Sequence, residues 1–477
     1  MKRMAIQHPA LRMGNTDITI GAIALILAKL VSPALNLVLL AVMAKTFGSN
    51  LVGGYYLPLT WLFIFQAFAA LGVGDVVARE VGRFPERAGR CFANGLLLGL
   101  VSSIVSSIIM VGLVQLFHYP REIELAIRLV SASLPPIAVA LVCEGFYIAR
   151  QQTKYMVLVS FFEAFFSVGL NLFLLCKGYG LLWLMGVIVA ARIFSAVIHL
   201  CIIRRKFSNM RLDWEIGFLR SMVPATIVFG LGKILGLIVL KGDVIILSKL
   251  RDINEVGLYI AAGKLMEVWL MLPHAFGFAA FPILAREFYR SREDTREILI
   301  HTTRRLFTIA VPIVIGVILF SRYIVSLIYG KSFASVSPAV QLLMLTFLLM
   351  CGDILLGNTC RAVGRQNFDL GILAVNAAIN IALNFLLIPH YGMIGACYAT
   401  LASMSVSLAS RWYYVTSKIF ELGWTKAVLK PFALVTPPAL AVLPFQNKIN
   451  PLLLGMTFIG IYFLGLWLTK RGLVDQS

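Results

Sequence analysis

The sequence predicts an all-α polytopic membrane protein, built as two pseudo-symmetric six-helix lobes around a central cavity with two further helices at the C-terminal end. Three observations carry that expectation. Of 477 residues, 60% are hydrophobic and 13% charged, with a mean hydropathy of +0.88, a balance that a water-soluble domain of this length does not tolerate. About fourteen apolar segments are long enough to cross a bilayer, which takes roughly 20 helical residues because every backbone amide in hydrocarbon needs a partner within its own segment. The second half of the chain also repeats the first.

The expected spans run over 18–46, 54–79, 91–117, 123–149, 155–176, 181–203, 221–248, 255–285, 304–329, 336–360, 367–388, 393–417, 427–444 and 450–469. Residues 1–17 form a cytoplasmic arm with Lys2, Arg3 and Arg12. The span behind it is too long for a signal-peptide core and ends without a small-residue cleavage site, so it reads as an uncleaved helix. Spans 1 to 6 make an N-lobe, 18–206, and a cytoplasmic linker covers 207–220. Spans 7 to 12 make a C-lobe, 221–420, and residues 421–477 hold spans 13 and 14 with a cytoplasmic tail. Pro135 and Pro136 in span 4 and Pro273 in span 8 are expected to kink their helices. Seven cysteines lie scattered in apolar segments without C-x-x-C pairing, which supports neither a disulfide framework nor a zinc site.

A net charge of +20 raises the question of nucleic acid, and the placement of the 42 Lys and Arg answers it. They concentrate in every second loop. The clusters Arg79, Arg83, Arg87, Arg90, then Arg204, Arg205, Lys206, Arg211, and Arg286, Arg290, Arg292, Arg296, Arg304, Arg305 act as topology signals that place both termini in the cytoplasm. No aromatic residues interleave with them as base-stacking platforms, which argues against nucleic-acid binding.

The repeat is visible without gaps over one stretch. Lys29 matches Lys233, 204 positions on, and the same offset aligns Lys45 with Lys249, Asn50 with Asn254, Val52 with Val256, Gly53 with Gly257 and Tyr55 with Tyr259. An even number of spans per repeat returns the second half in the same orientation, so the lobes are expected to be related by an axis along the membrane normal. Two such lobes facing a cleft suit alternating access. Transport is therefore expected before any family is considered.

The stretch Asp243 to Arg251, followed by Val256-Gly257-Leu258-Tyr259 and Ala261-Ala262-Gly263-Lys264-Leu265, resembles the polysaccharide-transporter family of the multidrug, oligosaccharidyl-lipid and polysaccharide exporter superfamily. Phe281-Pro282 with Arg286, Tyr329-Gly330-Lys331-Ser332-Phe333, and Asn380 and Asn384 ahead of Ile388-Pro389-His390-Tyr391-Gly392 extend the resemblance over nearly the whole chain. It implies a flippase for a polyprenyl-pyrophosphate-linked oligosaccharide of O-antigen, lipopolysaccharide, capsule or exopolysaccharide biosynthesis. It further implies a bacterial inner-membrane location and a central cavity lined by helices 1, 2, 7 and 8. The expected partners are the lipid-linked substrate, membrane lipids and other assembly proteins such as a polymerase and glycosyltransferases, around a monomer.

A lysine at the centre of a span costs roughly 2.5–3.5 kcal/mol on insertion scales and so faces a wet cavity or a partner. Lys29 and its repeat mate Lys233 are the first candidates for cavity cations that hold an anionic headgroup, with structural pairing to a buried acid as the plain alternative. Lys264 is the third, although Glu267 at i+3 is placed to neutralise it. Lys241 and Asp243 read as an interfacial pair. Glu144, Glu163 and Arg192 in the N-lobe, with Asp353 in the C-lobe, are candidates for H⁺ or Na⁺ coupling or for a structural network. Asn376, Asn380 and Asn384 share one helix face and suit hydrogen-bonded glue between helices.

Gly330-Lys331-Ser332 is not a nucleotide-binding loop, because Val325 occupies the leading glycine position. No resident cofactor is expected, and a secondary transporter is favoured over an enzyme. The competing readings are a multidrug cation antiporter, which span 1 with Lys29 and no carboxylate suits poorly, and a glycan polymerase or ligase, which the short outer loops disfavour.

Overall fold

The computed structural model describes residues 15–207, 212–445 and 450–474 and, within these, the side chains outside 15–31, 228–229, 424–427 and 468–474. Among the described residues the chain is helical throughout, without strands. The elements are α1 (Asn15–Ala70), α2 (Val73–Arg83), α3 (Ala88–Phe117), α4 (Arg121–Ser131), α5 (Leu134–Ala149), α6 (Thr153–Cys176), α7 (Leu181–Lys206) and α8 (Ile216–Leu250). They continue as α9 (Ile253–Trp269), α10 (Met271–Glu287), α11 (Arg292–Tyr329), α12 (Ser337–Ala362), α13 (Gln366–Lys418), α14 (Trp424–Val442) and α15 (Pro451–Val474).

Eleven helical stretches among the described residues are long and apolar enough to cross a membrane, against about fourteen segments expected. The difference lies partly in two glycine breaks inside long helices. Gly48 in α1 has φ 78° and Gly392 in α13 has φ 56°, backbone that an L side chain rarely adopts, and at each the helix stops and restarts. A shorter apolar helix, Pro451–Trp467, adds a further candidate below the length of a full span. Span 4 is divided at Ala132–Ser133, and Pro135 and Pro136 then sit in the first turn of α5, where a missing N–H costs nothing. Span 8 is likewise divided at Leu270, with Pro273 in the first turn of α10.

The chain forms two compact units. One comprises Phe65–Leu231 with the chain up to Leu39, and the other comprises Leu40–Ile64 with the chain from Gly232 onward. In the first, α2, α3, α5 and α7 enclose a core of Val73, Val77, Cys91, Phe92, Val142 and Phe146. Glycines let the backbones close up there. A Cβ on Gly145 would overlap the Gly74 carbonyl, and one on Gly74 would reach within 2.6 Å of the Leu141 carbonyl oxygen. Between apolar helices in lipid, association rests on such close approach rather than on hydrophobic exclusion.

In the second unit α12 lies at the centre, against α9, α10, α11 and α13, while α14 and α15 lie on α11. Asn380 Nδ2 donates to Ser403 Oγ at 3.2 Å and Asn376 Nδ2 to Met404 Sδ at 3.9 Å, so this amide face joins the two halves of α13. The turn between those halves is clamped from the start of α9. Arg251 donates to the carbonyls of Ile388 and Pro389, at 3.2 and 2.8 Å, and Glu255 Oε1 accepts the Met393 N–H at 2.7 Å. Asp252 caps α9 by accepting the Glu255 N–H at 2.8 Å, which fixes where that carboxylate can reach.

Candidate functional site

Three ionisable side chains converge in the second unit, from two long and mostly apolar helices. Lys241 comes from α8, and Lys264 and Glu267 come from α9, one turn apart on one face. Lys264 Nζ is 2.7 Å from Glu267 Oε2, and Lys241 Nζ pairs with Glu267 Oε1. One carboxylate thus bridges two ammonium groups. Lys264 Nζ also lies 5.4 Å from the ring centroid of Tyr56 on α1, within reach of the ring's quadrupole. The side chains of Lys241, Lys264 and Glu267 are 16%, 19% and 25% exposed, so the cluster is half-buried.

The expected pairing of Lys241 with Asp243 is not what the structure forms. Residues two apart on a helix point to different faces. Asp243 instead accepts the Tyr259 hydroxyl at Oδ2 and the Val244 N–H at Oδ1, the latter at 2.7 Å, and Lys241 turns to Glu267. Glu267, read from the sequence only as a neutraliser of Lys264, is the hub of the cluster.

Asp353 on α12 lies in a second, more deeply buried network. Arg411 Nη1 is 2.5 Å from Asp353 Oδ1, and Arg411 Nε is 2.8 Å from Asp369 Oδ1. The three side chains are 5%, 13% and 8% exposed for Arg411, Asp353 and Asp369. Arg361, half exposed, reaches Asp369 Oδ2 at 3.3 Å, and Ser407 donates to Asp353 at 2.8 Å. Gly357 makes room for the network: a Cβ there would stand 3.1 Å from Asp369 Oδ1 and 3.3 Å from Arg411 Nε. Arg411 and Asp369 were not singled out by sequence; the available signal was two more charges within the long apolar α13.

In the first unit Glu163 on α6 and Arg192 on α7 form an ion pair at 2.6 Å midway along a helical hairpin. Glu144 lies half-buried on α5 between the buried Cys143 and Gly145. Lys233 is exposed on α8, and the side chain of Lys29 lies outside the described residues.

Comparison with known proteins agrees with this architecture. Residues 18–288 match the model of the family described as polysaccharide biosynthesis protein, and residues 268–463 match that of the lipid II flippase MurJ. A probable flippase, AglR, of Haloferax volcanii is 31% identical over 34% of this chain and 35% of its own length. Another, the probable low-salt glycan biosynthesis flippase Agl15 of the same organism, is 22% identical over 46% of this chain and 47% of its own length. The chain therefore matches less than half the length of either flippase. The capsular polysaccharide biosynthesis protein CapF of Staphylococcus aureus is 23% identical over 66% of this chain and 76% of its own. Among solved structures, lipid II flippase MurJ in an inward closed conformation superposes with a TM-score of 0.76 at 15% identity, over 95% of this chain and 100% of that one. A multidrug resistance MATE transporter in an inward-facing conformation gives 0.69 at 15% identity, over 84% and 95%. The fold is that of these transporters, and the match over more than half of its length shows that the chain belongs to the polysaccharide biosynthesis protein family.

Proposed function

We propose that the protein is a flippase that carries a polyprenyl-pyrophosphate-linked oligosaccharide from the cytoplasmic to the outer leaflet of a bacterial inner membrane, for surface polysaccharide assembly. The observation that carries the reading is the cluster of Lys241, Glu267 and Lys264, two ammonium groups on one carboxylate held half-buried within membrane-spanning helices. A pyrophosphate is prohibitively costly in hydrocarbon and needs such cations along its route, while the polyprenyl tail stays in lipid. A site that presents two ammonium groups is a poor host for a cationic drug, which sets the multidrug-antiporter reading behind this one.

In this reading the lobes 18–206 and 221–420, related by an axis along the membrane normal, rock against each other to open the site to either side in turn, and Lys29, Lys233 and Lys264 serve as headgroup cations. Glu144, the Glu163–Arg192 pair and Asp353 are the groups at which H⁺ or Na⁺ uptake would bias the motion. The protein works as a monomer, without a resident cofactor, alongside the glycosyltransferases and polymerase that make and consume its cargo. The test is a proteoliposome assay in which a fluorescent polyprenyl-pyrophosphate oligosaccharide in the inner leaflet becomes accessible outside. Transfer that depends on Lys264 supports the reading, and transfer at the protein-free rate overturns it.

A further inference from the structure

The ratio and the exposure of the charges in the Lys241–Glu267–Lys264 cluster differ from those of an ion pair that serves the fold. In the Arg411 network the side chains of Arg411, Asp353 and Asp369 are nearly sealed, and the guanidinium is shared by two carboxylates. Around Glu267 the arrangement is inverted. Two ammonium groups compete for one carboxylate, each taking one of its oxygens, and all three side chains are more exposed than those of the Arg411 network. The nearby carboxylate of Asp243 takes its hydrogen bonds from Tyr259 and from the Val244 N–H, so the direct ion pair of Lys241 is with Glu267. The Tyr56 ring lies 5.4 Å from the Lys264 ammonium, within cation–π reach. A carboxylate that spans two ammonium groups through separate oxygens occupies the positions that two oxygens of a phosphate would take.

We propose that Glu267 is an intramolecular stand-in for the substrate's phosphate: it neutralises Lys241 and Lys264 when the site is empty, is displaced by the diphosphate headgroup, and returns to expel it. This rests on the flippase reading of the same cluster. Displacement exchanges one anion for another at the same two cations, so the headgroup is bound without leaving a bare pair of charges in a half-buried site, and its release is driven by the returning carboxylate. Glu267 is then a positioning residue that sets affinity and the off-rate. A wholly structural carboxylate would behave oppositely, because its loss would loosen the lysines and weaken binding.

The experiment uses the full chain in nanodiscs, with farnesyl diphosphate as the probe and thermal unfolding as a check on each variant. Glu267→Gln keeps the shape and removes the charge, and it is expected to tighten probe binding by about tenfold while slowing multiple-turnover flipping in proteoliposomes. Glu267→Asp, one methylene shorter and unable to reach both lysines together, is expected to fall between. The double variant Lys241→Ala/Lys264→Ala is expected to lose the probe. Loss in the lysine variant with unchanged or weaker binding in Glu267→Gln overturns the stand-in role and leaves the flippase reading intact. Wild-type binding in the lysine variant overturns the anion site itself. Should Glu267→Gln fail to fold, Glu267→Asp carries the same comparison.

Discussion

Gly53 and Gly257, equivalent positions in the two sequence repeats, meet backbone to backbone. A Cβ on Gly257 would lie 2.9 Å from the Gly53 nitrogen, and one on Gly53 would lie 3.1 Å from the Gly257 nitrogen. Each would also collide with a carbonyl, that of Ser49 or of Ile253. Ser49 donates to the Asn254 side chain beside this crossing. Either glycine changed to Ala is expected to push α1 and α9 apart and to destabilise the protein by about 1–3 kcal/mol, the usual cost of overpacking. Differential scanning fluorimetry in detergent reads the shift, with Gly112→Ala, where nothing lies within 4 Å of the added carbon, as the control. Equal midpoints for Gly257→Ala and Gly112→Ala would contradict the crossing.

Arg411→Leu is expected to be the most damaging single change in the second unit. It leaves Asp353 without its guanidinium partner and Asp369 with the half-exposed Arg361, with a cost of about 3–5 kcal/mol for a broken buried ion pair. Yield of folded protein after detergent extraction is the measurement.

Asp353→Asn keeps a hydrogen-bonding group toward Arg411 and Ser407 and should fold. If Asp353 takes up the coupling ion, flipping by this variant becomes insensitive to imposed proton and sodium gradients. Undiminished sensitivity would assign the network to structure alone.

Gly392→Ala places a methyl group on backbone with φ 56° and into the Glu255 carboxylate that accepts the Met393 N–H. A loss of about 1–3 kcal/mol is expected from the backbone strain alone. Glu255→Gln, which retains an acceptor, should lose less, and parallel thermal unfolding of the two variants ranks them.

Lys29→Ala and Lys233→Ala are expected to abolish surface glycan assembly with protein level and membrane insertion unchanged. Normal glycan display from the double variant removes both residues from the headgroup's route.

Local periodicity made the helices legible, and with them every contact that depends on positions three or four apart. The approach of Lys264 to Glu267 is of that kind. Contacts between helices were legible only where the repeat or a hairpin constrained them, as with the Glu163–Arg192 pair across neighbouring α6 and α7. Lys241 was misassigned to Asp243 because sequence adjacency says nothing about which faces of α8 and α9 meet. Arg411 and Asp353 are 58 positions apart, and no spacing rule relates them. The breaks at Gly48 and Gly392 fall in the gaps that hydropathy alone leaves between spans 1 and 2 and between spans 11 and 12. By contrast, the proline-marked divisions of spans 4 and 8 could be anticipated from the ring's missing N–H.

The 38 residues of α11 run without a break, which at 1.5 Å per residue makes a rod of about 57 Å, nearly twice the roughly 30 Å of hydrocarbon it has to traverse. Ser291 pins its first turn by accepting the Asp294 N–H at 3.1 Å, Arg296 grips the Glu421 carbonyl at 2.6 Å, and Tyr462 of α15 donates to the Thr308 carbonyl near the rod's middle. Pro312 removes one rung of the rod's hydrogen-bond ladder, the one that the Thr308 carbonyl would have accepted, so a tilt at one end reaches the other through that point, and α14 and α15, which lie on α11, follow it. A spectroscopic label on either C-terminal helix would therefore read the inclination of α11 without touching any residue that handles cargo.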